Sequence, residues 1–186
     1  MPRLRAFHDA SSLPARFSPF ETVRNYHDLA LEHGVKFPED LQIILEQMTR
    51  IELALKPHAR ESACHNDLLP ANFLDDGSRI WIIDWEYAGN GNPFFDLGNL
   101  AVNLELNDRD GERLLELYFG RSDSKLNAQL NLMRLASDLR EAFWGFLQSG
   151  ISTLEFDFVG YGNKHLERFR VNAARDEFEN WLTVLE

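Results

Sequence analysis

Apolar residues recur at three- and four-residue steps along two stretches in the first third of the chain. In the second stretch they are Leu41, Ile44, Leu45, Met48, Ile51 and Leu55. Because this spacing gathers apolar side chains on one helical face, we predict amphipathic helices over 21–33 and 39–56. Gly34 and Pro38 separate the two helices, and Pro57 ends the second.

The pattern changes at Cys64. Two short runs rich in Phe, Ile and Trp, over 72–74 and 79–84, flank the polar turn sequence 75–78. Short apolar runs on either side of an Asp-Gly turn are typical of a β-hairpin, so we predict one here.

The rest of the chain, from Phe94 onward, has a helical pattern almost to its end. The expected helices are 95–106, 110–119, 124–149 and 162–184. Gly150 and the segment 160–162 are expected to separate the last of them, since glycine favours helix ends. A length of 186 residues without an internal repeat predicts a single domain, 1–186, that is mainly α with a small β-hairpin (α+β).

Charge and composition narrow the class of partner. The chain has 19 Lys and Arg against 30 Asp and Glu, a net charge of −11, which argues against nucleic acid binding. A single cysteine, Cys64, provides no intramolecular disulfide and fits a reducing compartment. We find neither a signal-peptide pattern nor an apolar run of about 18 residues, so we expect a cytoplasmic protein without a membrane partner.

Polar residues cluster at both ends of the predicted hairpin, so the two clusters should lie close together. The segment before it, 65–72, fits the spacing H-x-D-x-x-x-x-N, and Asp84 ends the second strand. Phosphoryl transfer needs a carboxylate that accepts the proton of the attacking hydroxyl, and hard oxygen ligands for Mg²⁺. Asp67 fits the first requirement, and Asn72 and Asp84 fit the second.

Two further residues of this region have candidate roles. Glu86 follows Asp84 by two residues, so a continuing strand would point both carboxylates to one side and offer a second metal contact. His65 is expected to brace the loop through hydrogen bonds, because Asp67 is better placed to act as the base. Each residue alone has an ordinary structural explanation, and it is their combination that indicates a kinase-type site.

Three motifs give the chain a family resemblance. They are HNDLLPAN at 65–72, IDWEY at 83–87 and FDLGN at 95–99. With them the sequence resembles the choline/ethanolamine kinases and the related aminoglycoside phosphotransferases, weakly from about Leu4 and strongly from Cys64. The resemblance implies the C-terminal lobe of a protein-kinase-like fold, with ATP and Mg²⁺ as cofactors.

The same resemblance implies roles for individual residues. Asp67 would be the catalytic base, and Asn72 and Asp84 would hold Mg²⁺ and with it the nucleotide. Asp96 would be a buried carboxylate that supports the backbone of the catalytic loop. Asn66 stands where protein kinases have Arg, which fits kinases of small molecules better.

The aromatic segment 142–161 resembles the choline pocket of choline kinases, where rings surround a quaternary ammonium. A choline headgroup has no N–H to donate, so ring faces attract it, each by about 0.5–2 kcal/mol. The candidates are Tyr87, Trp144, Phe156 and Tyr161. Leu147 stands where a second Trp would complete the pocket, so ethanolamine, another amino alcohol or a sugar hydroxyl stays open, and these rings also have the spacing of an ordinary core.

Residues 1–63 contain one glycine, Gly34, and no strand–turn–strand pattern. The N-terminal nucleotide-binding lobe of a kinase, with its phosphate-covering loop and lysine, is therefore expected to be absent. We expect the isolated chain to bind nucleotide weakly and to have little activity. The surface that would face that lobe is expected to be apolar and open to self-association.

Alternative functions remain at this point. The closest alternative is a phosphotransferase acting on an aminoglycoside or another small alcohol. A second is a binding remnant that keeps the kinase fold without catalysis. A third, a metal-dependent hydrolase using His65, Asp67, Asp84 and Glu86, is disfavoured because such sites usually contain more histidines.

Overall fold

The structure is a computed structural model that describes residues 1–9 and 12–186. Its helices are α1 (Pro2–His8), α2 (Pro19–Glu32), α3 (Leu41–Leu55), α4 (Pro93–Asn103), α5 (Asp108–Phe119), α6 (Ser124–Ile151), α7 (Phe158–Ala173) and α8 (Asp176–Leu185). Its strands are β1 (Ser62–Cys64), β2 (Phe73–Asp75), β3 (Ile80–Ile82) and β4 (Gly89–Gly91). Single 3₁₀ turns lie at Lys56–His58 and Pro70–Asn72.

The core forms around α6, which packs against α2, α4, α7 and α8. Residues from Leu126 to Leu147 of this helix are buried on nearly every side. A helix that is apolar around most of its circumference is stable only when other elements cover it, which explains its central place. No helix in the described residues, α6 included, is long and apolar enough to span a membrane.

The predicted helices of the first third and the hairpin are confirmed. Helices α2 and α3 coincide with the two amphipathic stretches, and β2 pairs antiparallel with β3, with Phe73 opposite Ile82. Side chains of the hairpin, among them Leu74, Ile80 and Trp81, remain 51%, 54% and 43% exposed. These side chains leave an apolar surface exposed on the hairpin.

A second small sheet escaped the sequence analysis. Strand β1 pairs antiparallel with β4, with Cys64 opposite Gly89. The polar segment 90–93 has the composition of a turn, but its first two residues, Asn90 and Gly91, belong to β4. The segment just before α2 passes close to β4 at Gly91. A Cβ at Gly91 would lie 3.1 Å from the Phe17 carbonyl oxygen, which favours glycine at this position.

The prediction of one helix over 162–184 was wrong. Helix α7 ends at Ala173 and α8 begins at Asp176, while the segment 160–162 lies inside α7 and does not break it. Its glycine, Gly162, serves a close helix crossing: an added Cβ would lie 2.9 Å from the Ala142 carbonyl oxygen of α6. The break between α6 and α7 falls at 152–157 instead.

The crossing of α6 and α7 gives a stability prediction. A Cβ at Gly145 would lie 2.9 Å from both the Gly162 nitrogen and the Phe158 carbonyl oxygen. Since both neighbours are backbone, Gly145→Ala should destabilise the fold by about 1–3 kcal/mol in urea unfolding. Gly111→Ala is the control: its Cβ would meet the Leu130 side chain at 3.4 Å. This second variant should gain stability, by about 0.5–1 kcal/mol. Equal changes in the free energy of unfolding of the two variants would contradict the close crossing of α6 and α7.

Candidate active site

A buried carboxylate near the start of α4 binds the backbone of the loop 65–72. Asp96 is fully buried, and its Oδ2 and Oδ1 accept the backbone N–H groups of His65 (2.8 Å) and Asn66 (2.6 Å). His8 Nε2 lies 2.8 Å from Oδ2 of the same carboxylate. Asp96 therefore joins α1, α4 and the loop at one point.

Asn66 has an unfavourable backbone conformation that its neighbours hold in place. Its φ is +65°, in the left-handed region that costs a non-glycine residue about 1–2 kcal/mol. The side-chain Nδ2 of Asn66 donates to the Tyr87 carbonyl oxygen (3.0 Å). The carbonyl oxygen of Asn66 accepts a hydrogen bond from Arg140 Nη2 (3.1 Å). A strained residue fixed from several sides is typical of functional loops, where it presents the next side chain in one orientation.

The end of the hairpin meets the same loop, as predicted. Ile83 N donates to the Asn72 carbonyl oxygen (3.0 Å), and His65 Nε2 lies 2.9 Å from the Ile83 carbonyl oxygen. The rings of His65 and Trp85 are in edge contact, with centroids 4.5 Å apart. The segment that contains Asp84 is thereby fixed against the loop that contains Asp67.

Both ring nitrogens of His65 are used inside the loop. Nε2 donates to the Ile83 carbonyl oxygen, and Nδ1 accepts the backbone N–H of Asp67 (3.2 Å). These partners assign a neutral ring with the proton on Nε2. The ring is fully buried, so His65 braces the loop and has no free nitrogen for a metal or a substrate proton.

The premise for Glu86 as a second metal contact does not hold, although the contact itself stays a prediction. The premise required the strand to continue, but β3 ends at Ile82, and Asp84 has a φ of +62°. Among the described residues, the carboxylates of Asp67, Asp84 and Glu86 do not form a group whose oxygens all lie within 4.8 Å. This arrangement also disfavours the hydrolase alternative.

Asn72 and Asp84 have oxygen atoms suited to Mg²⁺. Asn72 Nδ2 donates to the Asp67 carbonyl oxygen (2.9 Å), which fixes the amide, and its Oδ1 accepts no hydrogen bond from the described residues. Asp84 is exposed, and its carboxylate accepts no hydrogen bond from the described residues. An amide oxygen and a carboxylate on adjoining segments fit a hard cation that keeps several waters.

Asp67 presents one carboxylate oxygen to the outside. Its side chain is 10% exposed, and Oδ1 accepts a hydrogen bond from Arg140 Nη2 (2.8 Å). Its Oδ2 has no hydrogen-bond partner in the described residues. Burial raises the pKa of Asp67 above its ordinary value, although Arg140 acts in the opposite direction.

Arg140 and Glu141 were missed by the sequence analysis. Both side chains are 3% exposed, and Arg140 Nη1 lies 2.6 Å from Glu141 Oε1. Tyr161 donates its hydroxyl to Glu141 Oε2 (2.7 Å), and burial together with Glu141 raises the pKa of Tyr161. The signal in the sequence was two adjacent charges inside the otherwise apolar segment 139–147.

Three of the four aromatic candidates lie together where α6 and α7 adjoin. The ring centroid of Tyr161 is 5.6 Å from that of Trp144 and 6.1 Å from that of Phe156. Phe158, which was not predicted, joins them at 5.7 Å from Trp144 and 4.9 Å from Phe156. Phe156 is 56% exposed, so the group is open to solvent on one side.

Tyr87 is not in ring contact with that group. Its ring faces the Arg140 guanidinium, with 4.8 Å between the guanidinium carbon and the ring centroid. It is linked to the other rings through Arg140, Glu141 and Tyr161. The face of Tyr87 that meets Arg140 is therefore already used by a protein cation.

His8, Cys64 and Asp96 are a second cluster of potential metal ligands, with ligand atoms within 4.8 Å of one another in the described residues. The polar atoms of His8 and Asp96 already have partners, because His8 lies between Asp96 (2.8 Å from Nε2) and the Tyr118 hydroxyl (2.6 Å from Nδ1). Burial raises the pKa of the Cys64 thiol, which opposes the thiolate that a metal needs. We interpret this cluster as a hydrogen-bonded support of the loop.

Comparison with known sequences gives a consistent picture. The profile of a family described as the phosphotransferase enzyme family matches residues 3–129. Protein LicA of Haemophilus influenzae is 32% identical over 114 residues, which is 58% of this chain and 40% of LicA. Ethanolamine kinase 2 of Mus musculus is 36% identical over 119 residues, which is 53% of this chain and 31% of that protein. The chain thus spans less than half the length of these curated relatives.

Comparison with solved structures agrees. A choline/ethanolamine kinase family protein from Mesorhizobium loti superposes with a TM-score of 0.90 and 29% identity. The match covers 98% of this chain and 63% of that one. The predicted fold class, a mainly helical body with a small hairpin and a kinase-like architecture, is confirmed.

Proposed function

Because the chain belongs to the phosphotransferase enzyme family, we propose that its site transfers the γ-phosphoryl group of ATP to the hydroxyl of choline or a similar amino alcohol. The observation that supports this most is the pairing of two features. Asp67 has a free carboxylate oxygen, and a chain of buried hydrogen bonds links Asp67 to an open group of aromatic rings.

The proposed chemistry assigns each group one task. Asp67 Oδ2 accepts a hydrogen bond from the substrate hydroxyl, orients it and takes its proton as the bond to phosphorus forms. Asn72 Oδ1 and the Asp84 carboxylate hold Mg²⁺, which when bound neutralises charge on the phosphate oxygens. His65 keeps the loop and the hairpin end in register.

The substrate class follows from charge and ring placement. Trp144, Phe156 and Tyr161 offer ring faces to a cation, and the buried groups beside them carry two carboxylates against one guanidinium. A cationic alcohol supplies the missing positive charge. Choline ranks first because ring faces suit a headgroup without N–H donors, and ethanolamine ranks next.

We also propose that residues 1–186 are one catalytic and substrate-binding lobe that works with a nucleotide-binding lobe. The chain spans 63% of the Mesorhizobium loti structure. With a net charge of −11 and no lysine at the proposed site, this chain alone should bind ATP weakly. The apolar hairpin side chains Leu74, Ile80 and Trp81 would contact the other lobe. In the isolated chain the same side chains could form a dimer interface, which sedimentation would detect.

An activity test separates the substrate alternatives. This chain would be joined to the nucleotide-binding lobe of a family member and incubated with Mg-ATP and each of choline, ethanolamine and an aminoglycoside. We expect ³¹P NMR to show phosphocholine forming fastest. Phosphorylation of the aminoglycoside alone would overturn the substrate class, and binding of choline without any transfer would favour a non-catalytic remnant.

Trp144→Ala should weaken choline binding. Loss of one ring from a cation site costs about 0.5–2 kcal/mol, which corresponds to a rise of the Kd by roughly 2- to 30-fold. Isothermal calorimetry or NMR titration of the chain measures this directly. Trp181→Ala is the control, because the Trp181 ring lies against Arg175 instead (5.5 Å), on α8. An unchanged Kd in Trp144→Ala would remove this ring from the substrate site.

A further inference from the structure

We propose that Arg140 is a positioning residue of this site. Its hydrogen bond to Oδ1 of Asp67 orients Oδ2 toward the substrate hydroxyl. The proposal rests on the function proposed above and adds to it a residue from α6, 73 positions away from Asp67. In this proposal Arg140 orients the base, Asp67, and does not itself contact the substrate.

One guanidinium nitrogen holds both the side chain and the backbone of the loop. Arg140 Nη2 lies 2.8 Å from Asp67 Oδ1 and 3.1 Å from the Asn66 carbonyl oxygen. Nη2 carries two N–H groups, and by donating to both acceptors it fixes the carboxylate relative to the strained residue that precedes it. Of the two Asp67 oxygens, only Oδ2 is then left for a ligand.

Arg140 is itself immobilised from the substrate side. Its Nη1 lies 2.6 Å from Glu141 Oε1, and Glu141 Oε2 accepts the Tyr161 hydroxyl at 2.7 Å. Its guanidinium also covers the Tyr87 ring. The orientation of Asp67 is therefore tied to the same ring, Tyr161, that we place against the substrate cation.

The charge on this arginine persists in its buried position. Burial alone would oppose it, but the carboxylates of Glu141 and Asp67 raise the pKa of Arg140 above its ordinary value. One donor, Nε, is buried without a partner in the described residues. Because an unsatisfied buried donor is unfavourable, Arg140 stabilises the fold less than a fully paired guanidinium would.

The chain contains a comparable ion pair that does not touch the loop. Arg168 on α7 binds Asp138 on α6 through Nη2 and Oδ1 at 2.6 Å, and the Asp138 side chain is 1% exposed. Replacing Arg168 perturbs a buried aspartate without reaching Asp67. It is the matched control for effects that come only from breaking a buried pair.

The test measures binding on the 186-residue chain and needs no turnover. NMR titrations compare choline with ethyltrimethylammonium, which lacks only the hydroxyl, so the ratio of the two Kd values reports the hydroxyl contact. A hydrogen bond to a charged group predicts a ratio of about 10 in the unmodified chain. Asp67→Asn should lower the ratio toward one. Variants Arg140→Lys and Arg140→Met test the proposal, with Arg168→Lys and Arg168→Met as controls.

We expect Arg140→Met to lower the ratio toward one. The loss of one positive charge changes the Kd values of both cations alike and so does not itself alter the ratio. Arg140→Lys should retain part of the ratio. The Arg168 variants should keep the full ratio. Circular dichroism identifies any variant that does not fold; should Arg140→Met unfold, Arg140→Lys decides. A full ratio in a folded Arg140 variant, or an equal loss in the Arg168 controls, overturns the positioning role alone. No binding, or a ratio of one in the unmodified chain, overturns the proposed function and this role with it.

Discussion

Asp96→Asn is expected to lower the free energy of unfolding of this chain by about 2–5 kcal/mol. The carboxylate is fully buried and meets the backbone N–H groups of His65 and Asn66 as well as His8 Nε2. An asparagine offers one acceptor oxygen, so its NH₂ group would face a donor. Urea unfolding followed by circular dichroism gives the free energy.

The same variant should loosen the loop more than the rest of the fold. Hydrogen exchange of the His65 and Asn66 amides should accelerate beyond the global change. Asp28→Asn is the control, because the Asp28 side chain is 75% exposed and its replacement should cost less than about 0.5 kcal/mol. Equal losses in both variants would show that Asp96 does not support the loop.

Asp67→Asn is expected to reduce kcat for phosphoryl transfer by about 10²–10⁴-fold, the usual range for a general base. KM for the alcohol should change much less, because proton acceptance matters mainly in the transition state. The measurement is choline-dependent release of ADP by the chain joined to a nucleotide-binding lobe.

The Asp28→Asn variant serves again as the control and should retain the kcat of the unmodified protein. A kcat for Asp67→Asn within a few-fold of that value would mean that another group accepts the proton. Since His65 has both nitrogens engaged, such a result would remove the proposed division of tasks in the loop.

Local patterns in the sequence were sufficient for the elements that lie near one another along the chain. The apolar spacing from Leu41 to Leu55 gave α3, and the turn at 75–78 gave the hairpin. The loop and the hairpin end come together because the hairpin joins them directly. That the segments containing Asp67 and Asp84 lie close together could therefore be predicted without knowledge of the rest of the fold.

Contacts between distant segments left no local pattern. Strands β1 and β4 have three residues each and pair through backbone groups, so they show no alternation to detect. Gly162 was interpreted as a helix break because a glycine that permits a helix crossing has the same sequence as one that ends a helix. Arg140 reaches Asp67 from α6, and only the packing of α6 against the loop reveals the pair.

The most direct test of the central claim is a crystal structure, with Mg²⁺, a nucleotide and choline, of this chain joined to a nucleotide-binding lobe. We predict the choline oxygen about 2.6–3.2 Å from Asp67 Oδ2, the ammonium among Trp144, Phe156 and Tyr161, and Mg²⁺ on Asn72 and Asp84. Choline bound away from those rings, or with its hydroxyl directed away from Asp67, would contradict the proposed site.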